Sequence, residues 1–342
     1  MKYSLPLLAI LTLGALLAQK SAQAQRFAEK KSARPVPAPI AKTSAPPADA
    51  QRTGAEKIGA AGQGGRSGDE LVAAAAREIF RLPAIEAKIR QRVYLLGHDL
   101  AGAGSYLQAG EGTEKFLRLE MKLQVGEQTA AIQEFRNKEH FWSRRSLPPK
   151  ESSVERINLH QVRLALAERE RAAAINPTQY WIMLGGLPKL LENLRTNFDF
   201  TAPRPGKLGE LSVLVVEGSW KPDRLQSFVG EETLKRQGGP PGQLPHRVVL
   251  TLGAADHRFP LFPYRIEYRR RTIPTGGLAV EQGRAGGEDA GELLATLEFF
   301  EIRQPVQVDV RVFDYVAADQ EDPVDRTAAF LQSVGLGVQP SR

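Results

Sequence analysis

The amino-acid sequence predicts an α+β fold in which a curved antiparallel sheet, a half-barrel of about nine to eleven strands, packs on internal and flanking helices. Strand-like segments follow one another from residue 85 to residue 144, and the turns between them are typical of an antiparallel meander. Helical patterns come before, within and after the strand-like segments. A sheet of this size tends to curl, and helices against one side of a curled sheet make a half-barrel.

The clearest strand lies at residues 116–125. Every odd position from Leu117 to Val125 is apolar, and the positions between them are polar or charged. Successive side chains of a strand point to opposite faces, so this strand has one apolar face and one polar face. The sequence leaves open what covers the apolar face, which is either a packed core or a cavity for an apolar ligand.

Further strands are predicted along the whole folded part of the chain, with boundaries set by Gly, Pro and Asn turns. They lie at 85–96, 105–108, 128–135, 140–144, 153–159, 211–219, 248–252, 263–271, 293–303 and 306–315.

The predicted helices begin with a recognisable cap. Ser67-Gly68-Asp69-Glu70 has the spacing of a capping box, and the helix that it opens ends at Pro83. A second, strongly apolar helical stretch runs from Tyr180 to Leu194 and is interrupted at Gly185-Gly186. The remaining helices are predicted at 160–174, at 222–236 and from Asp322-Pro323 onward.

The first 24 residues are predicted to be a cleaved secretory signal peptide. Lys2 provides a basic start, an apolar core of about 14 residues follows, and Ala22-Gln23-Ala24 is a small-residue cleavage site. The alternative is a transmembrane anchor, which takes about 20 apolar residues. Residues 25–66 are predicted to be a disordered Ala/Pro/Gly/basic linker, 67–336 the folded domain, and 337–342 a tail.

The net charge of +7 lies outside the predicted folded domain. The leader holds two of the excess positive charges and residues 25–68 hold five, so the rest of the chain is neutral. A neutral folded part lacks the basic surface of a nucleic-acid binder, so no nucleic-acid partner is expected. No stretch after the leader is predicted to span a membrane.

The chain contains no cysteine. This excludes disulfides, thiolate metal sites and thiol nucleophiles, and it also excludes the lipid-bearing cysteine of a bacterial lipoprotein. Together with the leader, it predicts a periplasmic or secreted protein that is not lipid-anchored.

Catalytic and metal-binding motifs are absent from the sequence. The five histidines do not have the spacing of paired zinc ligands, and there is no Gly-x-Ser-x-Gly nucleophile elbow. The acidic cluster at 319–325 lacks the pattern of a calcium loop and suits a helix start. Strand carboxylates at Glu298, Glu301, Asp309 and Asp314 are interpreted as a solvent face. We therefore expect no enzyme activity, no metal and no cofactor, and a hydrolase assembled from scattered residues stays a minor alternative.

The order of elements resembles the LolA-like superfamily, the bacterial lipoprotein-sorting carriers and their relatives. The stretches that carry the resemblance are Ile85-Glu86-Ala87-Lys88-Ile89-Arg90-Gln91, Phe116-Leu117-Arg118-Leu119-Glu120, His140-Phe141-Trp142, Leu184-Gly185-Gly186-Leu187-Pro188 and Val312-Phe313-Asp314-Tyr315. The resemblance implies a curved sheet over internal helices, a hydrophobic cavity that holds acyl chains, and no enzyme activity. The basic linker and a Gly-rich insertion at 272–291 depart from a simple carrier.

Two main functions follow from these patterns. In the first, the protein binds a lipid, lipoprotein acyl chains or another hydrophobic ligand in the half-barrel. The residues then predicted to line the cavity are Leu117, Leu119, Met121, Leu123, Trp142, Trp181, Leu184 and Leu187. In the second, the same side chains fill a core, and the protein is a structural or interaction module of the cell envelope with an envelope protein as partner.

Overall fold

The computed structural model describes residues 66–95, 98–112, 114–125, 127–146, 152–168, 181–237, 240–241, 244–271, 291–317 and 322–334. The predicted leader, the tail and almost all of the predicted linker and of the 272–291 insertion lie outside these residues.

The strands of the described part form one curved, unclosed sheet. They are β1 (Ala84–Leu95), β2 (His98–Ala109), β3 (Phe116–Val125), β4 (Gln128–Arg136), β5 (His140–Ser146), β6 (Ser153–Asn158), β7 (Phe198–Phe200), β8 (Arg204–Leu208), β9 (Leu211–Trp220), β10 (Arg247–Gly253), β11 (Pro263–Arg270), β12 (Glu292–Arg303) and β13 (Val324–Asp325). The strand order is β13-β6-β5-β4-β3-β2-β1-β12-β11-β10-β9-β7, with β8 also paired to β9. All pairs are antiparallel except β13–β6.

The predicted α+β half-barrel is confirmed, and its strands in the described residues number thirteen rather than nine to eleven. The additional strands are β7, β8 and β13, which have two to five residues each. Segments this short carry too few side chains for a period of two to be visible. They exist because the neighbouring strand offers backbone hydrogen bonds, which is a property of the folded chain.

The helices of the described part are α1 (Gly68–Arg81), α2 (Leu159–Glu168), α3 (Trp181–Leu184), α4 (Leu187–Asn197), α5 (Pro222–Val229), α6 (Glu231–Gln237) and α7 (Thr327–Ser333), with a 3-10 helix at Val310–Phe313. The capping box of α1 is confirmed: the Ser67 hydroxyl accepts from the Glu70 amide at 3.2 Å, and the Glu70 carboxylate accepts from the Ser67 amide at 2.9 Å. None of the described helices is long and apolar enough to cross a bilayer.

The two faces of the sheet are covered differently. We call the face covered by α1, α3 and α4 the inner face, and the other the outer face. On β3 the apolar side chains Leu117, Leu119, Met121 and Leu123 of the predicted alternation belong to one continuous core with these helices. Arg118, Glu120 and Lys122 project from the opposite face. The predicted two-sided character of this strand is therefore confirmed.

Glycines on the inner face of β2 make room for the large side chains of β3. Gly102 pairs with Leu123 and Gly104 pairs with Met121. A Cβ atom on Gly104 would overlap the Glu120 carbonyl oxygen and would lie 2.6 Å from the Met121 Sδ. The strand predicted at 105–108 is too short, because glycines weaken a strand pattern. In the structure they are required by the close approach of β3.

The predicted strand at 306–315 is wrong. Both neighbours of β12 are already occupied, by β1 and β11, so the following chain has no free edge beside it. We call residues 304–317 the strap; it crosses the outer face, and its Phe313 is fully buried against Ala84 and Ala109. The valines of the strap differ in burial. Val308 and Val312 pack against the Phe313 cluster, and Val306 and Val310 are exposed to solvent.

The last helix also begins later than predicted, at Thr327 instead of Asp322-Pro323. Val324–Asp325 pairs with β6 first, and the Asp325 carboxylate then accepts from the Thr327 amide at 2.9 Å. Of the predicted helix at 160–174, residues beyond 168 lie outside the described part.

Candidate ligand-binding site

Most of the residues predicted to line a cavity come together on the inner face. Leu117, Leu119, Met121 and Leu123 extend from β3, Trp181 and Leu184 belong to α3, and Leu187 begins α4. All of these except Leu184 are less than 10% exposed and belong to the same hydrophobic core. The structure therefore brings them together, and their contact with a ligand stays a prediction.

Trp142 lies apart from the others. Its neighbour Phe141 belongs to the inner core, so Trp142 faces the outer side of β5. There its ring stacks on Tyr315 of the strap with centroids 5.3 Å apart, and the Arg156 guanidinium lies 5.6 Å from its centroid. With two aromatic residues in succession, the sequence does not indicate which one faces inward.

Tyr106 is a buried polar side chain of the inner face that the sequence pattern does not mark. Its ring stacks on Trp181 with centroids 5.6 Å apart. Its hydroxyl donates to the Gln108 side-chain oxygen at 2.8 Å and accepts from the Leu187 amide at 3.2 Å. Burial raises the pKa of Tyr106 far above its usual range, so the phenol stays neutral and keeps donating. Tyr106 thereby ties the first turn of α4 to the sheet.

A two-glycine turn sets α3 against the sheet. Gly185 has φ 141° and Gly186 has φ 76°, both in a region that favours glycine. A Cβ on Gly186 would overlap the Tyr106 hydroxyl and would lie 2.8 Å from Leu117 Cδ2. The turn therefore lets four residues of helix lie flat on β3 and β4, with Trp181, Ile182 and Met183 buried.

The inner face becomes polar where β4 and β5 meet. Glu134 pairs with Leu119 on one side and with Ser143 on the other, so all three share the inner face. Ile132 likewise pairs with Met121 and with Arg145. We call Glu134, Ser143 and Arg145 the inner polar patch. The sequence contains no signal for it, because Glu134 and Arg145 follow the ordinary pattern of half-exposed strand residues.

The inner polar patch is incompletely paired. Burial raises the pKa of Glu134 to about 7, and the nearby Arg145 guanidinium opposes this only in part. In the described structure, no hydrogen bond or ion pair holds the Glu134 carboxylate. Ser143 is 2% exposed, and its Oγ lacks a hydrogen-bond partner. Buried polar groups usually have partners, so this patch stands out from the core around it.

A second concave region lies on the outer face. The strap and strands β1 to β3 enclose a groove of about 350 Å³ that is lined by Glu86, Ser105, Arg118, Glu120 and Asp309, among others. Arg118 donates to Glu120 at 2.7 Å and to the Val312 carbonyl at 3.1 Å. Partial burial favours the protonated form of Glu120, but hydrogen bonds from Arg118 and Gln133 outweigh it and hold its pKa below the usual range. The groove is thus polar and internally paired.

The strand carboxylates singled out in the sequence do not converge. Glu298 forms an ion pair with Arg265 at 2.6 Å, Asp309 pairs with Arg311 at 2.7 Å, and Asp314 accepts from Asn137 at 2.9 Å. Across the residues that the structure describes, no group of three His, Asp or Glu side chains is placed to hold a metal ion.

Comparisons with known proteins find only distant matches among solved structures. No protein-family model and no curated protein matches the chain. Among solved structures, a DUF1329 family protein from Desulfovibrio piger ATCC 29098 matches at 10% identity and a TM-score of 0.31, covering 71% of this chain and 95% of that one. A putative outer membrane lipoprotein-sorting protein domain from Vibrio parahaemolyticus matches at 11% identity and a TM-score of 0.29, with the same coverage.

A third structure, of PNGF-II, matches at 10% identity and a TM-score of 0.24, covering 73% of this chain and 32% of that one. The described residues form the half-barrel that the resemblance of the sequence to the LolA-like superfamily implies, a curved sheet over internal helices. TM-scores this low say nothing about ligand or activity.

Proposed function

We propose that this chain is an exported, non-enzymatic protein of the cell envelope that binds an acyl chain or similar hydrophobic ligand on the inner face of its half-barrel. One observation carries the proposal: the apolar inner face of β3 is covered by α3, a single helical turn hinged on Gly185-Gly186. Among α1, α3 and α4, the helices that cover the inner face, α3 is the shortest, so displacing it costs the least free energy. The predicted leader supports the envelope location.

The ligand would take the place that α3 occupies in this structure. Displacing α3 exposes Trp181, Ile182 and Met183, which costs roughly 1.5–3 kcal/mol for each side chain. Burying one methylene group returns about 0.8 kcal/mol, so an acyl chain of roughly six to eleven methylenes offsets this cost. Ordinary fatty-acyl chains reach this length, which makes them the ligand class that fits.

We predict that a fluorescent fatty acid, 11-dansylaminoundecanoic acid, binds the purified protein, and that binding moves Trp181 from the core into water, because the ligand takes the place of α3. Trp142 lies on the outer face and serves as the matched control. Trp181→Phe is expected to remove the shift of tryptophan emission to longer wavelength that accompanies binding, and Trp142→Phe to keep it. Steady-state fluorescence titration measures the tryptophan and dansyl emission together.

The second candidate, an envelope interaction module with a filled core, is favoured by one feature of the structure. The β3 side chains on the inner face are only 0 to 8% exposed in the described conformation. Under this function α3 never leaves the sheet. A protein that shows no dansyl binding at any accessible concentration, and only its own mass in native mass spectrometry, would favour this candidate over acyl-chain binding.

A further inference from the structure

An acyl chain by itself offers no hydrogen bond or charge to the inner polar patch. Glu134 lies directly beside Leu119, Ser143 lies beside Glu134 on the next strand, and Arg145 lies beside Ile132, all on the face to which the chain would bind. Glu134, Arg145 and Ile132 are partly exposed, so the patch lies where the inner face opens. An amphiphile with its chain on β3 would place its head group at this position.

Two neighbouring charged side chains on the inner side, Arg136 and Glu155, already have partners within the protein. Arg136 donates to the Lys115 carbonyl. Glu155, which pairs with Ser143 across β5 and β6, accepts from Arg326 at 3.2 Å. In the described residues, by contrast, no ion pair of 4 Å or less joins Glu134 to Arg145. They are diagonal neighbours on adjacent strands, at a typical Cβ separation of roughly 7–8 Å.

The signs of the two charges select the head group. A fatty-acid carboxylate or an anionic phospholipid would pair with Arg145 and be repelled by Glu134. A cationic amphiphile would pair with Glu134 and be repelled by Arg145. A head group that carries an ammonium and a phosphate two carbons apart meets both, since carboxylates bind ammonium and guanidinium groups bind phosphate. The buried Ser143 hydroxyl supplies a hydrogen bond to the phosphate.

We propose, building on the proposed function, that the inner polar patch selects amphiphiles with a phosphoethanolamine head group, the ammonium on Glu134 and the phosphate on Arg145 and Ser143. Burial of Glu134 without a partner also disfavours its charged form in the free protein, as its raised pKa of about 7 reflects. A bound ammonium would restore the charge. The unpaired Glu134 carboxylate therefore destabilises the ligand-free protein, and a bound ammonium group removes this destabilisation.

The test is displacement of the dansyl fatty acid by short-chain lipids below their micelle concentrations. Dihexanoyl phosphatidylethanolamine is expected to bind at least 10-fold tighter than dihexanoyl phosphatidylglycerol. Glu134→Gln and Arg145→Gln are each expected to reduce this preference at least 5-fold, with the affinity of each lipid calculated from the dansyl affinity measured for the same variant. The matched controls are Glu127→Gln in the β3–β4 turn and Arg144→Gln on the outer face of β5, which are expected to keep the preference.

Each outcome is informative. Equal affinity for the two lipids, or a preference that survives both patch variants, overturns the head-group assignment and leaves acyl-chain binding standing. Free phosphoethanolamine that binds as tightly as the lipid would show a site for a small phospho-amine and overturn the lipid assignment. A protein that binds neither the dansyl probe nor any lipid loses the proposed function and this inference together.

Discussion

Replacing Gly104 with alanine is expected to destabilise the protein by about 3 kcal/mol or more, at the upper end of the cost of overpacking. The new Cβ would overlap the Glu120 carbonyl oxygen, which belongs to the backbone ladder between β2 and β3. A flexible side chain could move away, but this oxygen can move only if the two strands separate. The affected pair lies near the centre of the sheet, where β3 presents the proposed binding face.

Urea unfolding at neutral pH, followed by circular dichroism, measures the Gly104→Ala effect. Gly206→Ala in β8 is the matched control, since its Cβ would meet only the Val215 Cγ2 atom at 3.2 Å and the Val213 Cγ2 atom at 3.5 Å. We expect the control to cost about 1 kcal/mol or less. Equal unfolding midpoints for the two variants would show that β2 and β3 are not packed as the structure has them.

Replacing Glu134 with glutamine is expected to stabilise the ligand-free protein by about 2 to 3 kcal/mol at pH 8 and by almost nothing near pH 4.5. The pKa of Glu134 is about 7 in the folded state and near 4.5 when the chain is unfolded. Between these values the folded state binds more protons than the unfolded state, so stability falls as the pH rises from 4.5 to 7. A pKa difference of one between the two states corresponds to about 1.36 kcal/mol, and solvent screening reduces this value here because the side chain is only partly buried.

Chemical denaturation of the wild type and of Glu134→Gln at pH 5 and pH 8 checks this expectation. The exposed Glu127→Gln variant serves as control and is expected to match the wild type at both pH values. A Glu134→Gln gain that is the same at pH 5 and pH 8 would show that the benefit does not come from removing a buried charge. A loss at pH 8 would show that a group pairs with the carboxylate in the folded protein.

These two predictions concern opposite kinds of residue on the same face. Gly104 is required by packing, so its replacement is expected to harm the fold. Glu134 is expected to weaken the free protein, and natural proteins keep such residues mainly where function needs them. A stabilising Glu134→Gln variant that has also lost its preference for phosphatidylethanolamine would connect the stability cost to ligand selection in a single side chain.

Much of the local structure could be predicted from the sequence. The capping box at Ser67, the alternation along β3 and the break at Gly185-Gly186 depend on residues within a few positions of one another, and such short-range patterns are visible in the chain itself. The strap could not be predicted, because its valine alternation is that of a strand. Only the pairing of β12 with both β1 and β11 leaves it without an edge.

Some residues of the candidate site could be predicted from the sequence, and others could not. Hydrophobic periodicity predicts which residues are buried. It identified the apolar residues of the candidate site, namely Leu117, Leu119, Met121, Leu123, Trp181 and Leu187. The role of Tyr106, the outward position of Trp142 and the inner polar patch were not predicted. Each depends on which side chains face each other across strands, and this register joins residues far apart in the chain.

The sequence by itself therefore determined that this protein has a large antiparallel sheet with one apolar face and helices to cover it, because hydrophobic burial follows local periodicity. Which charges share that face depends on the folded chain. Cross-strand pairing places Glu134 against Leu119 and Ser143 and leaves its carboxylate unpaired among the described residues, and the proposed preference for a phosphoethanolamine head group rests on that arrangement.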